Sequence, residues 1–171
     1  GAYCIIQTYD GGYLVGGYTQ GKWEKSLGKT DGWVLKISSS GDFLWDVILG
    51  TDEEDIVHDL AQDIEGDFVI VGETTGQSTI FKLQADGKVL WEQKFNPAPS
   101  STLSVAITRD GNYVCSGVTG RQDNKLGFAA CFTPAGKRLW NQTFQNSELN
   151  DGTDLIQKKD GGFIITGIAN T

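Results

Sequence analysis

Short runs rich in apolar residues recur along the chain, and polar turns that contain glycine separate them. The first two runs are YCIIQT at 3–8 and YLVGGYT at 13–19, with an Asp-Gly pair between them. Short runs of this kind between turn residues are typical of β-strands, and helical periodicity is missing from the sequence. An Asp-Gly pair between such runs favours a tight hairpin, because primed turns need positive φ angles. The pattern therefore predicts an all-β fold of antiparallel hairpins.

The pattern repeats with a period of about 50 residues, which is typical of propeller blades. The turn and the run that follows it recur at 9–19, 64–74, 109–119 and 159–169. A run that ends in tryptophan recurs at 33–45, 79–91 and 128–140. Each unit divides into four short strands, so we predict one β-propeller segment, 1–171, of about three and a half four-stranded antiparallel blades. The complete blades are predicted at 3–48, 57–95 and 103–144, and the half blade at 153–169.

The first repeat resembles a family of secreted β-propeller repeats. Three segments follow the family pattern: AYCIIQTYDGGYLVGGYT, DGWVLKISSSGDFLW and GTDEEDIVHDLAQD. Two others, ADGKVLWEQKF and AGKRLWNQTF, are similar to the tryptophan-docking motif of quinoprotein-type propellers. The resemblance implies that Trp45, Trp91 and Trp140 dock each blade on its neighbour. It also implies an extracellular, cell-surface or periplasmic location, but no single activity, since a fold does not fix a function.

The number of blades is too small for a closed ring. Closed propellers have about 4 to 8 blades, and a chain of 171 residues provides only about three and a half. Two interpretations stay open: the chain is a segment of a longer repeat protein, or other copies of the chain supply the remaining blades. The absence of methionine, even at position 1, favours a fragment or a processed product.

Composition narrows the classes of partner. The formal net charge of −8 arises from 14 basic and 22 acidic residues. It argues against nucleic acid and anionic membranes as partners, because both attract basic faces. No apolar run approaches the roughly 18 residues of a membrane span. The 23 glycines are explained by the turns and strands of the repeat.

Few residues offer catalytic or metal-binding chemistry. His58 is the only histidine and occupies an ordinary strand position, so a Ser-His-Asp triad is improbable. The acidic run at 52–55 lacks the spacing of a calcium loop. Local backbone hydrogen bonds explain the recurrent acidic residues of the turns, Asp10, Glu65, Asp110 and Asp160. We therefore expect no enzymatic activity, no cofactor and no metal.

Three cysteines and one N-glycosylation sequon are candidates for covalent modification. Cys115 and Cys131 lie on adjacent predicted strands, where they could form a cross-strand disulfide or remain two buried thiols. Cys131 also replaces the lysine found at positions 36 and 82. We expect Cys4 to be buried and unpaired. Asn141 begins the only N-x-[ST] sequon, on an outermost strand where a secreted eukaryotic protein could carry a glycan.

The leading functional hypothesis is a non-enzymatic structural or interaction module of a secreted or surface protein. Its partners would be other proteins or further copies of the chain, with an oligomer or extracellular filament as an extension. An alternative is a carbohydrate-binding propeller, in which Trp23, Trp33 and Asp31 contact the sugar. A fragment of a propeller enzyme is the third hypothesis, and it would need charged residues converging on a central channel.

Overall fold

The protein consists of strands and turns throughout the part of the chain that the computed structural model describes, residues 1–20, 27–121, 124–144 and 151–168. These ranges contain fourteen strands and no helix. In chain order, the strands are β1 (Ala2–Gln7), β2 (Tyr13–Gln20), β3 (Thr30–Ile37), β4 (Phe43–Leu49), β5 (Asp55–Gln62), β6 (Phe68–Thr74), β7 (Gln77–Leu83), β8 (Val89–Lys94), β9 (Ser100–Ile107), β10 (Tyr113–Thr119), β11 (Leu126–Phe132), β12 (Arg138–Thr143), β13 (Asp151–Gln157) and β14 (Phe163–Ile168). The predicted all-β class is confirmed.

The strands form four antiparallel sheets, and the strand order within each sheet follows the sequence. Sheet 1 contains β1–β4, sheet 2 contains β5–β8, sheet 3 contains β9–β12, and sheet 4 contains β13 and β14. Each sheet begins and ends within about three residues of a predicted unit, because short apolar runs and turn glycines are local signals. Among the described residues, no helix has the length and hydropathy needed to cross a membrane.

Glycine is required in the turn that joins the first two strands of each sheet. In sheet 1 the Gly11 amide donates to the Thr8 carbonyl over 2.8 Å, and Gly11 has a φ of 79°. Gly66, Gly111 and Gly161 take the same place, with φ values of 90°, 80° and 91°. The acidic residue before the glycine has no positive φ. The turn is therefore a β-turn followed by a left-handed glycine, and the primed two-residue turn expected from the Asp-Gly pair is wrong.

Apolar side chains fill the space between consecutive sheets. Because side chains alternate across a strand, β6 directs Phe68 and Ile70 toward sheet 1 and Val69 and Val71 toward sheet 3. All four are at most 1% exposed. Among the described residues, the contacts of sheets 1 with 2 and 2 with 3 each bury nine apolar residues, whereas that of sheets 3 with 4 buries three. Sheet 4 is therefore the sheet held by the least apolar contact.

Cys115 and Cys131 are free thiols, so the disulfide considered from the sequence is not formed. The register pairs Cys115 with Ala130 and Cys131 with Val114, which places the cysteines one position apart. Neighbouring positions on paired strands point to opposite faces of a sheet. Cys115 accordingly packs between sheets 2 and 3, and Cys131 between sheets 3 and 4. Cys4 is also free, but it is only half-buried rather than buried as expected.

Candidate functional site

Trp45, on the last strand of sheet 1, lies against sheet 2. Its ring centroid is 6.1 Å from that of Phe68, which is within the range of favourable aromatic pairs. The indole also covers the turn glycine Gly87, where a Cβ atom would come within 2.9 Å of the ring. A side chain at position 87 would therefore push the tryptophan off the neighbouring sheet.

Trp91 makes the corresponding contacts between sheets 2 and 3. Its ring centroid lies 6.3 Å from that of Tyr113, and a Cβ atom on Gly136 would lie 3.0 Å from the indole. The indole N–H also donates to the carbonyl of Pro134 over 3.1 Å. Trp91 thus joins the two sheets by an aromatic contact, by packing on a turn glycine and by a hydrogen bond.

Trp140 lies against sheet 4, but it is less covered. Its ring centroid is 6.2 Å from that of Phe163, and the residue is 39% exposed. Gly41 of sheet 1 is the turn glycine equivalent to Gly87 and Gly136. No tryptophan of a preceding sheet covers it, and a Cβ atom there would meet nothing within 4 Å. The tryptophan contact is therefore complete between sheets 1, 2 and 3 and partial between sheets 3 and 4.

A buried lysine joins the third strand of sheet 1 to a turn carboxylate. Lys36 is 3% exposed, and its ammonium lies 2.9 Å from Asp10. Hydrogen bonds from the Thr8 hydroxyl and the Lys36 ammonium lower the pKa of Asp10 to about 2. The turn carboxylate therefore binds a lysine as well as the Gly12 amide, a role that local turn geometry did not predict.

Lys82 has the equivalent place in sheet 2 and a larger set of acidic partners. Its ammonium lies 3.1 Å from Asp63, 3.3 Å from Glu65 and 3.2 Å from Asp67. Burial lowers the pKa of Lys82, but the interactions with Asp63, Tyr113 and Asp67 together outweigh burial, so the pKa lies above its usual value. The three carboxylates are close enough together to hold a metal ion, and the Lys82 ammonium already lies among them. The recurrence of lysine on the third strand and of an acid in the turn was the sequence signal for both pairs.

Sheet 3 keeps the turn carboxylate but has Cys131 at the position of the lysine. Asp110 accepts hydrogen bonds from the Thr108 hydroxyl over 2.6 Å and from the side-chain amide of Asn112 over 2.8 Å. Burial and the nearby Asp110 carboxylate raise the pKa of the Cys131 thiol. A cavity of about 240 Å³ lies between sheets 3 and 4, lined by Asp110 and Cys131 among other residues. The cavity coincides with the one sheet contact in which the lysine is replaced.

Glutamine side chains form another contact between sheets that sequence reasoning missed. The Tyr9 amide, in the first turn of sheet 1, donates to the Gln62 side chain of sheet 2 over 2.8 Å. The Arg109 amide of sheet 3 donates to Gln157 of sheet 4 over 3.0 Å. Both glutamines end the first strand of their sheet, and this recurrence was visible in the sequence.

The structure describes two of the three residues proposed to contact a sugar, Trp33 and Asp31. Trp33 lines a cavity of about 310 Å³ together with Tyr18, Thr19 and Gln20. Asp31 is fully buried, and its carboxylate accepts hydrogen bonds from the backbone N–H groups of residues 27 and 28. It therefore organises the loop and does not line this cavity, contrary to the expected ligand contact. Trp23 lies outside the described residues.

Asn141 of the sequon lies on β12 and is exposed. Its side-chain nitrogen, the atom that would carry a glycan, donates to the Asn96 side chain over 2.7 Å. Asn96 is 3% exposed, so a glycan would be attached directly beside a buried side chain, and only one N–H of Asn141 would remain as a donor. His58 stacks on Tyr3, with ring centroids 5.8 Å apart, and burial lowers its pKa.

Comparisons with known proteins add no family to these observations. No protein-family model matches the chain, and no curated protein sequence matches it.

Proposed function

We propose that the chain is a β-propeller segment of a secreted or cell-surface protein and acts as a non-enzymatic interaction scaffold. The scaffold binds further sheets of the same repeat through the free faces of sheets 1 and 4. The observation that carries this proposal is that positions buried between the sheets of the chain are exposed on its two outer faces.

The free face of sheet 1 repeats the faces by which sheets 2, 3 and 4 bind their preceding neighbours. Ile5 is 61% exposed. The equivalent side chains in the next three sheets are Leu60, Val105 and Leu155, which are 2%, 7% and 4% exposed. Burial of such a side chain contributes about 1.5–3 kcal/mol, so the free face of sheet 1 favours a covering sheet.

The free face of sheet 4 shows the opposite half of the same contact. Ile164 is 47% exposed, whereas its equivalents Leu14, Val69 and Val114 are fully buried. The faces of sheets 1 and 4 are thus the two complementary sides of a contact that the chain forms three times internally. Two copies would join by different faces, which is a heterologous contact that closes into a ring or continues as a filament.

Two charge substitutions test this arrangement by sedimentation. The wild-type chain is expected to associate with rising concentration. Ile5→Lys and Ile164→Lys are each expected to stay monomeric on their own, because every contact needs both faces. When the two variants are mixed, each supplies one intact face, so 1:1 heterodimers should form. Ile64→Lys is the control, because Ile64 is 85% exposed in a turn and contributes to neither face.

Several outcomes would contradict the proposal that the chain is an interaction scaffold. A wild-type chain that stays monomeric to millimolar concentration rules out binding of further sheets, and so does association that neither variant changes. Electron microscopy of the assembly then tests the propeller itself, because propeller geometry predicts closed rings and a simple stack of sheets predicts open filaments.

Carbohydrate binding is a second candidate, favoured by the cavity at Trp33. Tyr18 and Trp33 offer aromatic surface, and Thr19 and Gln20 offer polar groups, within about 310 Å³. Such a combination suits a sugar ring, which presents C–H and hydroxyl groups together. A glycan array with the wild-type chain should yield a ligand that Trp33→Ala loses and Trp140→Ala retains. An array without any ligand would exclude this candidate.

A further inference from the structure

The lysine of sheets 1 and 2 has a fixed place at the contact with the next sheet. Lys36 lies opposite Trp45 in the strand register, and Lys82 lies opposite Trp91. In sheet 3 the residue opposite Trp140 is Cys131. The three positions are therefore equivalent in structure as well as in sequence.

Sheet 3 retains the anionic half of the pair that sheet 1 completes. In sheet 1 the Thr8 hydroxyl donates to Asp10, and Asp10 binds the Lys36 ammonium. In sheet 3 the Thr108 hydroxyl donates to Asp110 in the same way. The short, neutral Cys131 side chain supplies no ammonium, and the cavity of about 240 Å³ lies beside it.

The cavity has the walls that a lysine-like chain requires. Val114, Leu139 and Phe163 form apolar lining, and Trp140 offers an aromatic ring near the carboxylate of Asp110. Asp110 is exposed and Trp140 is 39% exposed, so the cavity can be entered from solvent. Its volume is below the roughly 300–1,000 Å³ of sites for drug-sized ligands, which suits a small ligand.

We propose that this cavity binds the primary ammonium group of an unbranched alkyl chain, with the ammonium on Asp110 and the methylenes against the apolar wall. The ligand is a free alkylamine or the lysine side chain of a protein partner. An ammonium–carboxylate hydrogen bond is stronger than a neutral one, and an aromatic ring further stabilises a cation beside it. Lys158 does not take this place, because its ammonium lies 2.9 Å from Asp160.

Titration with n-butylammonium chloride, followed by NMR chemical shifts, tests the proposal on the whole chain. Shifts are expected at Cys131 and Trp140, and they should be absent with n-butanol, which has the same alkyl chain without the charge. Asp110→Asn should weaken binding about tenfold or more, because it removes a charge-assisted hydrogen bond. Asp86→Asn, an acidic turn residue of sheet 2, is the matched control and should leave binding unchanged.

Two substitutions at Cys131 separate filling of the cavity from loss of the thiol. Cys131→Lys restores the residue of sheets 1 and 2, so its own ammonium should bind Asp110 and exclude butylammonium. Cys131→Ala keeps the cavity open and should bind at least as well as the wild type. If Cys131→Lys fails to fold, the Asp110→Asn result decides alone. Equal binding of butylammonium and butanol, or undiminished binding by Asp110→Asn, would overturn the proposal.

The source of the ammonium is distinguished by a second ligand, N-acetyl-lysine N-methylamide. Tighter binding of this compound than of n-butylammonium indicates the side chain of a protein partner. Binding of n-butylammonium alone indicates a free amine, because the amide groups of a peptide then prevent access.

Discussion

Lys82→Met tests whether the buried ion pairs stabilise the contacts between sheets. Methionine has a side chain of similar length, so the substitution removes the ammonium and keeps most of the packing. Asp63, whose side chain is 5% exposed, would then hold a negative charge without its cation. Loss of one partner from a buried pair costs about 3–5 kcal/mol. The Tyr113 hydroxyl and two backbone amides still donate to Asp63, so we expect about 3 kcal/mol.

Lys36→Met is the matched control in the equivalent position of sheet 1. Lys36 is buried to the same degree, but the side chain of its partner Asp10 is 61% exposed. Water can solvate the Asp10 carboxylate after the lysine is gone, so the loss should not exceed about 1 kcal/mol. The free energy of unfolding of both variants and the wild type is measured by urea denaturation at pH 7.

The pH dependence of the stability loss tests the Lys82–Asp63 ion pair independently. Burial raises the pKa of Asp63, but hydrogen bonds from Tyr113 and Lys82 outweigh it, so the pKa lies below its usual value. Asp63 therefore stabilises the fold above its unfolded pKa of about 3.9, and this stability is lost as the pH falls through the lower, folded pKa. In Lys82→Met the buried carboxyl should accept a proton more readily, so the deficit should shrink below about pH 4. Equal losses in the two variants, or a deficit of Lys82→Met that does not change with pH, would refute the reasoning.

Two further predictions concern the tryptophan contacts. In urea unfolding, Trp91→Ala should destabilise the protein by about 3 kcal/mol and Trp140→Ala by about 1 kcal/mol. The smaller loss is expected because Trp140 is 39% exposed and lies against a two-stranded sheet. Equal losses would contradict this difference in packing. Gly87→Ala should cost about 1 kcal/mol more than Gly111→Ala. Both glycines have positive φ, but only a Cβ atom at 87 meets Trp45 within 2.9 Å, and similar thermal unfolding of the two variants would argue against this contact.

The strands could be predicted from the sequence because their signals are local. Short apolar runs such as YLVGGYT and the glycine of each turn act within a few residues, and both remain visible in all four units. The turn type was predicted wrongly, because the Asp-Gly pair does not say which of the two residues takes the positive φ. Only the glycine does, as Gly11 shows with a φ of 79°.

The polar contacts between sheets were harder to predict, because they depend on register and on the neighbouring sheet. Cys115 and Cys131 looked close enough for a disulfide, yet a shift of one position sends them to opposite faces. Lys82 reads as an ordinary polar strand residue until the turn and Tyr113 of the next sheet surround it. Asp31 looked available for a ligand, and burial under its own loop was not encoded by any local pattern.

The contact between sheets 3 and 4 differs from the two before it in a way that suits a binding site. In a repeat protein, stability is approximately the sum of the units and of the contacts between neighbours. A change at one contact therefore leaves the others intact. Sheets 1, 2 and 3 keep their large apolar contacts. The replacement of lysine by Cys131 falls where only three of the described apolar residues are buried. A cavity with a preserved carboxylate, Asp110, can thus be kept at the last contact without loosening the sheets that hold it in place.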